Sequence, residues 1–377
     1  MSRPEAKGWC PGAYRPMMSG DGLVVRVRPA LARLSRAQIL GLCDLAIDYG
    51  SGLIDLTSRA NLQIRGVSED NHEPLLQSLS ALDLLEADPA LEGRRNILTT
   101  PLWIEGDDSQ AIASDLTARL VDLPELPAKM GFAIDAGLAP VLQANSADFR
   151  VECDANGGLI LRADGSALGV CVTKDTAVDT ILDMAHWFAE TGGVAHKRMA
   201  KHLAHVALPK KWTTTVPASA GSPTTPGTSD LGAVFGAAFG QIEANALKAL
   251  FKATRATAIR VSPWRVFILE NAAPIASSSF ITDAKDPLLQ INACPGAPFC
   301  TAASVDTREL ARNLAGRIDG PLHISGCAKG CAMPRPCRTT LVGRAGKFDL
   351  VRNGLPWDEP LLTDLAPDSL TDRIGDL

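Results

Sequence analysis

The chain has 377 residues, 46% of them apolar and 21% charged, with a formal charge of −5. That length exceeds what one hydrophobic core usually fills, so two or more packed units are expected, and the composition excludes a disordered or fibrous chain. The acidic balance argues against nonspecific nucleic-acid binding but leaves room for a local basic cavity for a polyanionic small molecule. Met1 to Pro16 lacks the apolar run of a signal peptide and no downstream stretch is apolar enough to span a bilayer, so a cytoplasmic protein without a membrane partner is expected.

From the N-terminal side, Leu23-Val-Val-Arg-Val-Arg28 alternates, placing Leu23, Val25 and Val27 on one face and Arg26 and Arg28 on the other. A helix is expected over residues 34–49, from the spacing of Ile39, Leu42, Leu45 and Ala46, with Ser35 as N-cap and Gly50 as its stop. Leu53 to Arg65 alternates again and reads as a second strand with Arg59, Asn61, Gln63 and Arg65 on its polar side. A weak second copy lies 205 residues on, where Phe239, Leu247, Leu250, Ile259, Val261, Phe267 and Leu269 answer Leu34, Leu42, Leu45, Ile54, Leu56, Leu62 and Ile64. Thr213 to Asp230, rich in Thr, Ser, Pro and Gly, reads as a linker or long surface loop.

After each small βαβ unit comes a longer mixed segment. Strands are expected over 149–153, 159–163, 322–325 and 340–344, and helices over 108–121, 177–190 and 307–315. The expected fold class is α/β (α+β) with pseudo-twofold symmetry. Its units are a ferredoxin-like unit over 18–80, an α/β unit over 85–212, the linker 213–230, a second ferredoxin-like unit over 231–283, and a second α/β unit over 284–377.

Five of the nine cysteines lie between residues 294 and 337. Cys294 and Cys300 are separated by five residues, Cys327 and Cys331 by three, and 26 residues lie between the pairs. Four thiolates on two short loops are what a 4Fe-4S cluster requires, one sulfur per iron. Structural zinc is the competitor, but its knuckles are usually more closely spaced than Cys294 and Cys300. Gly296, Gly326 and Gly330 allow tight wrapping and Pro295 and Pro298 stiffen the first loop. Cys337 follows at a further interval as a simple buried thiol or an alternative ligand, while Cys10, Cys43, Cys153 and Cys171 are scattered. His196, His202 and His205 read as part of a basic helix face rather than a metal site, and His323 as a strand residue near the second loop. No dinucleotide fingerprint, Walker loop or zinc-protease motif competes.

The loops Asn292-Ala-Cys-Pro-Gly-Ala-Pro-Phe-Cys300 and Ser325-Gly-Cys-Ala-Lys-Gly-Cys-Ala-Met-Pro334 resemble the cluster signature of the sulfite and nitrite reductase superfamily. The resemblance covers essentially the whole chain. It implies that Cys331 also faces the tetrapyrrole centre. It also implies that Arg26-Val-Arg28, Leu56-Thr-Ser-Arg59 and Arg94-Arg-Asn96 meet tetrapyrrole carboxylates, so that Arg26, Arg28, Arg59, Arg65 and Arg95 with Lys129 form a basic wall. Within the superfamily, three segments resemble the precorrin-3B synthase branch: Cys10-Pro-Gly through Met18-Ser-Gly-Asp-Gly22, the Cys327–Cys331 phrase, and Ser262-Pro-Trp-Arg265. Leu126-Pro-Ala-Lys-Met-Gly131 resembles a reductase segment with two lysines, of which only Lys129 remains, and Met333-Pro334 stands where a His-Pro is expected.

That resemblance implies an oxygenase that takes precorrin-3A and dioxygen as substrates. Its electrons would come ultimately from NADH through an external reductase. It further implies a mononuclear non-haem iron of unlocated ligands and no permanently bound sirohaem. A sirohaem-dependent reductase and a non-enzymatic iron–sulfur carrier or sensor are the alternatives.

Overall fold

The computed structural model describes residues 11–370. Among them are four five-stranded sheets, and the sheets come in two matching pairs. The first sheet runs Met17–Ser19, Gly22–Val27, Leu62–Val67, Leu53–Leu56 and finally Gln241–Glu243, antiparallel throughout. Its counterpart runs Gly227–Ser229, Gly232–Gly236, Val266–Glu270, Ala258–Val261 and finally Arg33–Ser35. Each of these small sheets is therefore completed by a strand from the opposite half. Ile242 pairs with Ile54, and Leu34 pairs with Ile259.

The helix Arg36–Asp48 starts at Ser35, whose hydroxyl accepts from Gln38 N while the Gln38 side chain accepts from Ser35 N. This reciprocal cap closes two backbone donors that a helix start leaves open. Its partner, Ala244–Thr254, packs against it, and Ile39, Leu42, Leu247 and Phe251 enter one core together with Ile54, Ile64, Ile259 and Phe267. The two ferredoxin-like units thus share a single hydrophobic core rather than owning one each.

Two sequence expectations fail in this region. Residues 53–65 form not one strand but a hairpin, Leu53–Leu56 and Leu62–Val67, turned at residues 57–61 with Ala60 at φ +51°. The matching turn puts Arg265 at φ +62°, so the 205-residue offset holds through both hairpins. Upstream the crossing strands and helices align instead at 208 residues, pairing Ile39 with Leu247 and Leu42 with Leu250. A three-residue slip keeps a helix face nearly unchanged, which is why the 205 offset matched apolar residues there too.

The larger sheets repeat the same logic. Ile97–Thr99, Phe132–Asp135 and Phe149–Cys153 run parallel, followed antiparallel by Leu159–Ala163 and Val170–Val172. Ile291–Ala293, Leu322–Ser325 and Cys337–Arg344 run parallel, followed by Lys347–Gly354 and Leu362–Leu365. Helices Asp108–Ala118 and Ala177–Glu190 pack on the former, and Arg308–Leu314 on the latter. The segment joining the halves lies along the third sheet, with Thr215 bridged to Gly169 and Pro217 to Asp154, before entering the edge strand Gly227–Ser229. No helix among the described residues is long and apolar enough to cross a membrane.

Candidate functional site

In the fourth sheet two parallel strands end in the two cysteine loops, so both loops leave the same sheet edge. Cys294 is buried and follows Ile291–Ala293 directly; its amide donates to the Ile324 carbonyl at 3.0 Å. Cys327 lies two residues beyond Leu322–Ser325, and the Ser325 hydroxyl bonds the Cys327 carbonyl at 2.6 Å and stands 3.5 Å from Cys294 Sγ. The Thr307 hydroxyl donates to the Cys294 carbonyl at 2.5 Å, pinning the far side of the first loop.

The four thiols differ in exposure, from buried Cys294 through half-buried Cys300 and Cys327 to Cys331, exposed as a residue although its thiol is desolvated, but they lie near enough to act on one another. Burial pushes Cys331 up to about 11, and the neighbouring Cys294, Cys327 and Cys300 push in the same direction. Cys327 is raised by burial first and by Cys294 and Cys300 next. Cys327 and Cys331, both held up in this way, would be stabilised as thiolates by a bound cation. The donor set fits a four-iron cluster: four soft sulfurs on two loops, one for each iron. Among the described residues, however, no three His, Cys, Asp or Glu side chains stand in a ligating arrangement, so the four thiols form a loose set rather than a closed coordination sphere. Cys337 is separate; its thiol bonds the Pro321 carbonyl at 3.3 Å, and none of the four loop cysteines contributes to its raised pKa.

The loop between Cys294 and Cys300 is held by the other half of the chain. The Phe299 carbonyl accepts from Ser19 Oγ at 2.6 Å, Gly20 N at 3.2 Å and Arg65 Nη2 at 3.2 Å. A β-carbon on Gly20 would stand 2.1 Å from the Pro298 carbonyl oxygen, so only glycine permits this approach. Arg65 is itself gripped by Asp21, at 2.7 and 2.9 Å, and by Asp55 at 3.0 Å. Asp55 faces Arg308 at 3.6 Å from the cysteine-loop side. The Met18-Ser-Gly-Asp-Gly22 phrase thus clamps the first cysteine loop through Ser19, Gly20 and Asp21.

The remaining basic residues line the same sheet and its neighbour. Arg26, Gln63 and Asp55 stand in register across three strands and share one face. Arg28 bonds Glu92 at 2.6 Å, Arg95 bonds the other Glu92 oxygen at 2.7 Å, and Arg95 also reaches the Arg28 carbonyl at 2.9 Å. Arg59 leaves the hairpin turn and donates to the Lys129 carbonyl at 3.0 Å. Beside it lies a small, partly open cleft lined by Arg59, Asn61, Asn96, Leu98, Gly131 and Ser146. Asn61, at the end of the turn, and Arg65, on the strand that follows it, are four residues apart, about 13 Å of extended chain between the cleft and the cysteine-loop clamp.

A family model described as "Nitrite/Sulfite reductase ferredoxin-like half domain" matches residues 15–82. A precorrin-3B synthase from Sinorhizobium sp. is 32% identical over 390 aligned positions, covering 92% of this chain and 83% of that protein. The chain belongs to the precorrin-3B synthase family. A ferredoxin–nitrite reductase from Synechococcus elongatus matches a shorter part, 29% identical over 34% of this chain and 27% of its own length. The structure of Mycobacterium tuberculosis NirA protein superposes with a TM-score of 0.68 over 93% of this chain and 79% of that one; at 16% identity the likeness is one of fold.

Within this precorrin-3B synthase scaffold the structure divides the sequence-predicted wall in two. Arg28, Arg65 and Arg95 bond carboxylates of the chain itself, while Arg59 borders the cleft and is held by the Lys129 carbonyl. Asn61 and Asn96 also line the cleft; Asn96 closes the Arg94-Arg-Asn96 segment singled out in the sequence, while Asn61 is marked only by its alternation with Gln63 and Arg65. Gly131 is more than a missing lysine. A β-carbon there would meet the Asn96 carbonyl oxygen at 2.9 Å, and the Gly131 amide bonds Asp148 at 3.1 Å.

The four histidines singled out in the sequence, His196, His202, His205 and His323, occupy two places. Rather than one basic helix face, residues 193–203 form two short helices, Gly193–His196 and Met199–Leu203, broken at Lys197 with φ +65°. His202 is fully buried, with His196 Nδ1 at 2.9 Å and Thr191 Oγ1 at 2.8 Å, and burial holds its pKa below the ordinary imidazole range. His323 sits buried on Leu322–Ser325, where burial lowers it to about 4 and neither ring nitrogen has a protein hydrogen-bond partner. Cys10, in the Cys10-Pro-Gly phrase, lies outside the described residues.

Proposed function

We propose that the chain catalyses the oxygen-dependent conversion of precorrin-3A to precorrin-3B in aerobic cobalamin synthesis. One oxygen atom enters the macrocycle as a hydroxyl on a meso carbon while an acetate side chain closes as a γ-lactone. The substrate gains one oxygen atom in total; the other leaves as water, taking two electrons and two protons. NADH is the ultimate donor of those electrons, through an external reductase. Support comes from the family membership and, in the structure, from one observation above others. The hairpin that presents Arg59 and Asn61 at its turn carries on its second strand the Arg65 that grips the cysteine loop, so a carboxylate-binding turn and the thiol loop are tied to one element.

Cys294, Cys300, Cys327 and Cys331 would hold a 4Fe-4S cluster, which when bound supplies electrons one at a time. The protein's own groups do the rest. Arg59 and Arg26, with Lys129, would bind and orient substrate carboxylates, because a guanidinium fork matches a carboxylate's two oxygens. Arg28 and Arg95, both largely buried, share Glu92 and are held by the chain's own carboxylate. The described residues offer no group of three His, Cys, Asp or Glu side chains placed to hold a mononuclear iron.

The test is anaerobic incubation with precorrin-3A and a reductant, followed by labelled dioxygen and mass analysis. The expected product carries one labelled oxygen, and the purified protein lacks sirohaem bands. Tightly bound sirohaem with sulfite- or nitrite-dependent electron uptake would instead establish a reductase.

A further inference from the structure

Two arginines and two aspartates are buried together where the first half meets the cysteine loop. Arg65 and Arg308 expose only 5% and 10% of their side chains, and Asp21 and Asp55 only 10% and 13%. The chain of contacts runs from Asp21 to Arg65 at 2.7 Å, from Arg65 to Asp55 at 3.0 Å, and from Asp55 to Arg308 at 3.6 Å. It touches the loop at both ends. Arg65 donates to the Phe299 carbonyl, beside Cys300, and Arg308 follows Thr307, whose hydroxyl bonds the Cys294 carbonyl. Arg308 is the less neutralised of the two cations: it has the longer ion pair, shares Asp55 with Arg65, and its Nε has no hydrogen-bond partner. Burial holds its guanidinium below the usual arginine range, while Asp55 and then Cys294 act in the opposite sense. At such depth it stays charged.

Resting on the reading that the four cysteines hold a cluster, we propose that this buried quartet sets the cluster's reduction potential, with Arg308 favouring the reduced state and Asp55 opposing it. Reduction adds one negative charge to a centre already carrying four thiolates. A nearby buried cation stabilises the added charge and a nearby carboxylate destabilises it, with little screening by salt. Arg308 is a positioning residue for charge and makes no contact with substrate in this scheme.

The experiment is an anaerobic redox titration of the full chain, followed by electron paramagnetic resonance, with iron and sulfide measured in each sample. Arg308→Gln is expected to lower the reduced-to-oxidised ratio at a fixed potential about tenfold, equivalent to 59 mV for a one-electron couple. Asp55→Asn is expected to shift the ratio in the opposite direction, and Arg308→Lys to stay near wild type. Opposite signs are the decisive readout, because general loosening of the loop moves both variants the same way. Should Arg308→Gln lose its cluster, Asp55→Asn and Arg308→Lys decide: an unshifted Asp55→Asn, or an Arg308→Lys displaced as far as Asp55→Asn, overturns the assignment. Wild-type protein without iron and sulfide overturns the cluster reading itself, a failure distinct from unmoved potentials in loaded variants.

Discussion

The two halves of the chain place an ion pair at the same point of the same hairpin, with the charges exchanged. Asp55 and Arg65 in the first half correspond, 205 residues on, to Arg260 and Glu270 in the second, and the pairs close at 3.0 and 2.6 Å. The surroundings differ. Glu270 also takes Arg33 at 2.8 Å, contributed by the crossing strand, while Arg260 stacks on Trp103 at 4.1 Å and bonds the carbonyls of Pro101 and Trp103. That pair is closed on every side and staples the halves together. The first-half pair instead adds Asp21 and Arg308 and reaches the Phe299 carbonyl. Duplication therefore supplied one scaffold, and a reversal of polarity separated a joint from a grip on the cysteine loop. The large sheets diverge likewise: loops at 100–107 and 136–148, which answer the two cysteine loops, contain no cysteine.

The largest effect should come where the halves differ most. Cys327→Ala is expected to abolish iron and sulfide content, measured on anaerobically purified protein, whereas Cys337→Ala keeps it; loss in the second and retention in the first would reverse the ligand assignment.

Breaking the closed pair comes next. Glu270→Gln leaves Arg260 buried without its carboxylate and is expected to cost about 3–5 kcal/mol of stability, the usual range for removing one member of a buried pair. Denaturant unfolding checks this, and a change below about 1 kcal/mol would show the pair to be no staple.

A smaller effect tests the cleft. Arg59→Ala should weaken anaerobic precorrin-3A binding by about 1.5–3 kcal/mol, as for loss of a charge-assisted hydrogen bond. Trp264→Ala, at the corresponding place in the second half, should leave affinity unchanged. Equal losses at both sites would mean that the two turns share the substrate.

The smallest effect is the pH dependence of the closed pair. Burial alone would raise the Glu270 pKa, but hydrogen bonds from Arg33 and Arg260 and their charges outweigh it and hold it below the ordinary 4.5. A carboxylate with a depressed folded pKa contributes stability that is complete above its unfolded value and is lost as pH falls through the folded one. Wild-type stability should therefore decline below about pH 4.5, and Glu270→Gln should decline less over that range.

Much of the local architecture is legible in sequence. Phe149–Cys153, Leu159–Ala163, Leu322–Ser325 and Ala177–Glu190 have the expected bounds, because each is a strongly patterned run between turn residues. The Thr57–Asn61 turn is hidden because it contains neither glycine nor proline and the alternation continues through it. Other features are non-local in principle. Nothing near Arg65 in sequence announces Asp21 or Arg308 as neighbours, and the three-residue strands Arg33–Ser35 and Gln241–Glu243 are too short to signal their destinations. The cysteine spacing marks the candidate ligands, yet not the clamp that Ser19, Gly20 and Arg65 place on their loop.

The exchanged strands have a consequence for how the molecule is assembled. Neither ferredoxin-like sheet is complete until residues some 200 positions away arrive, since Leu34 must find Ile259 and Ile242 must find Ile54. Such pairing is slow, because the chain loses loop entropy before the contact forms. The first half also cannot be excised as an autonomous module: cutting between the halves removes the last strand from both sheets and splits the shared core. The two fragments are instead suited to complementation, each carrying the missing edge of the other, and a nascent chain would present an open sheet edge until its second half is synthesised.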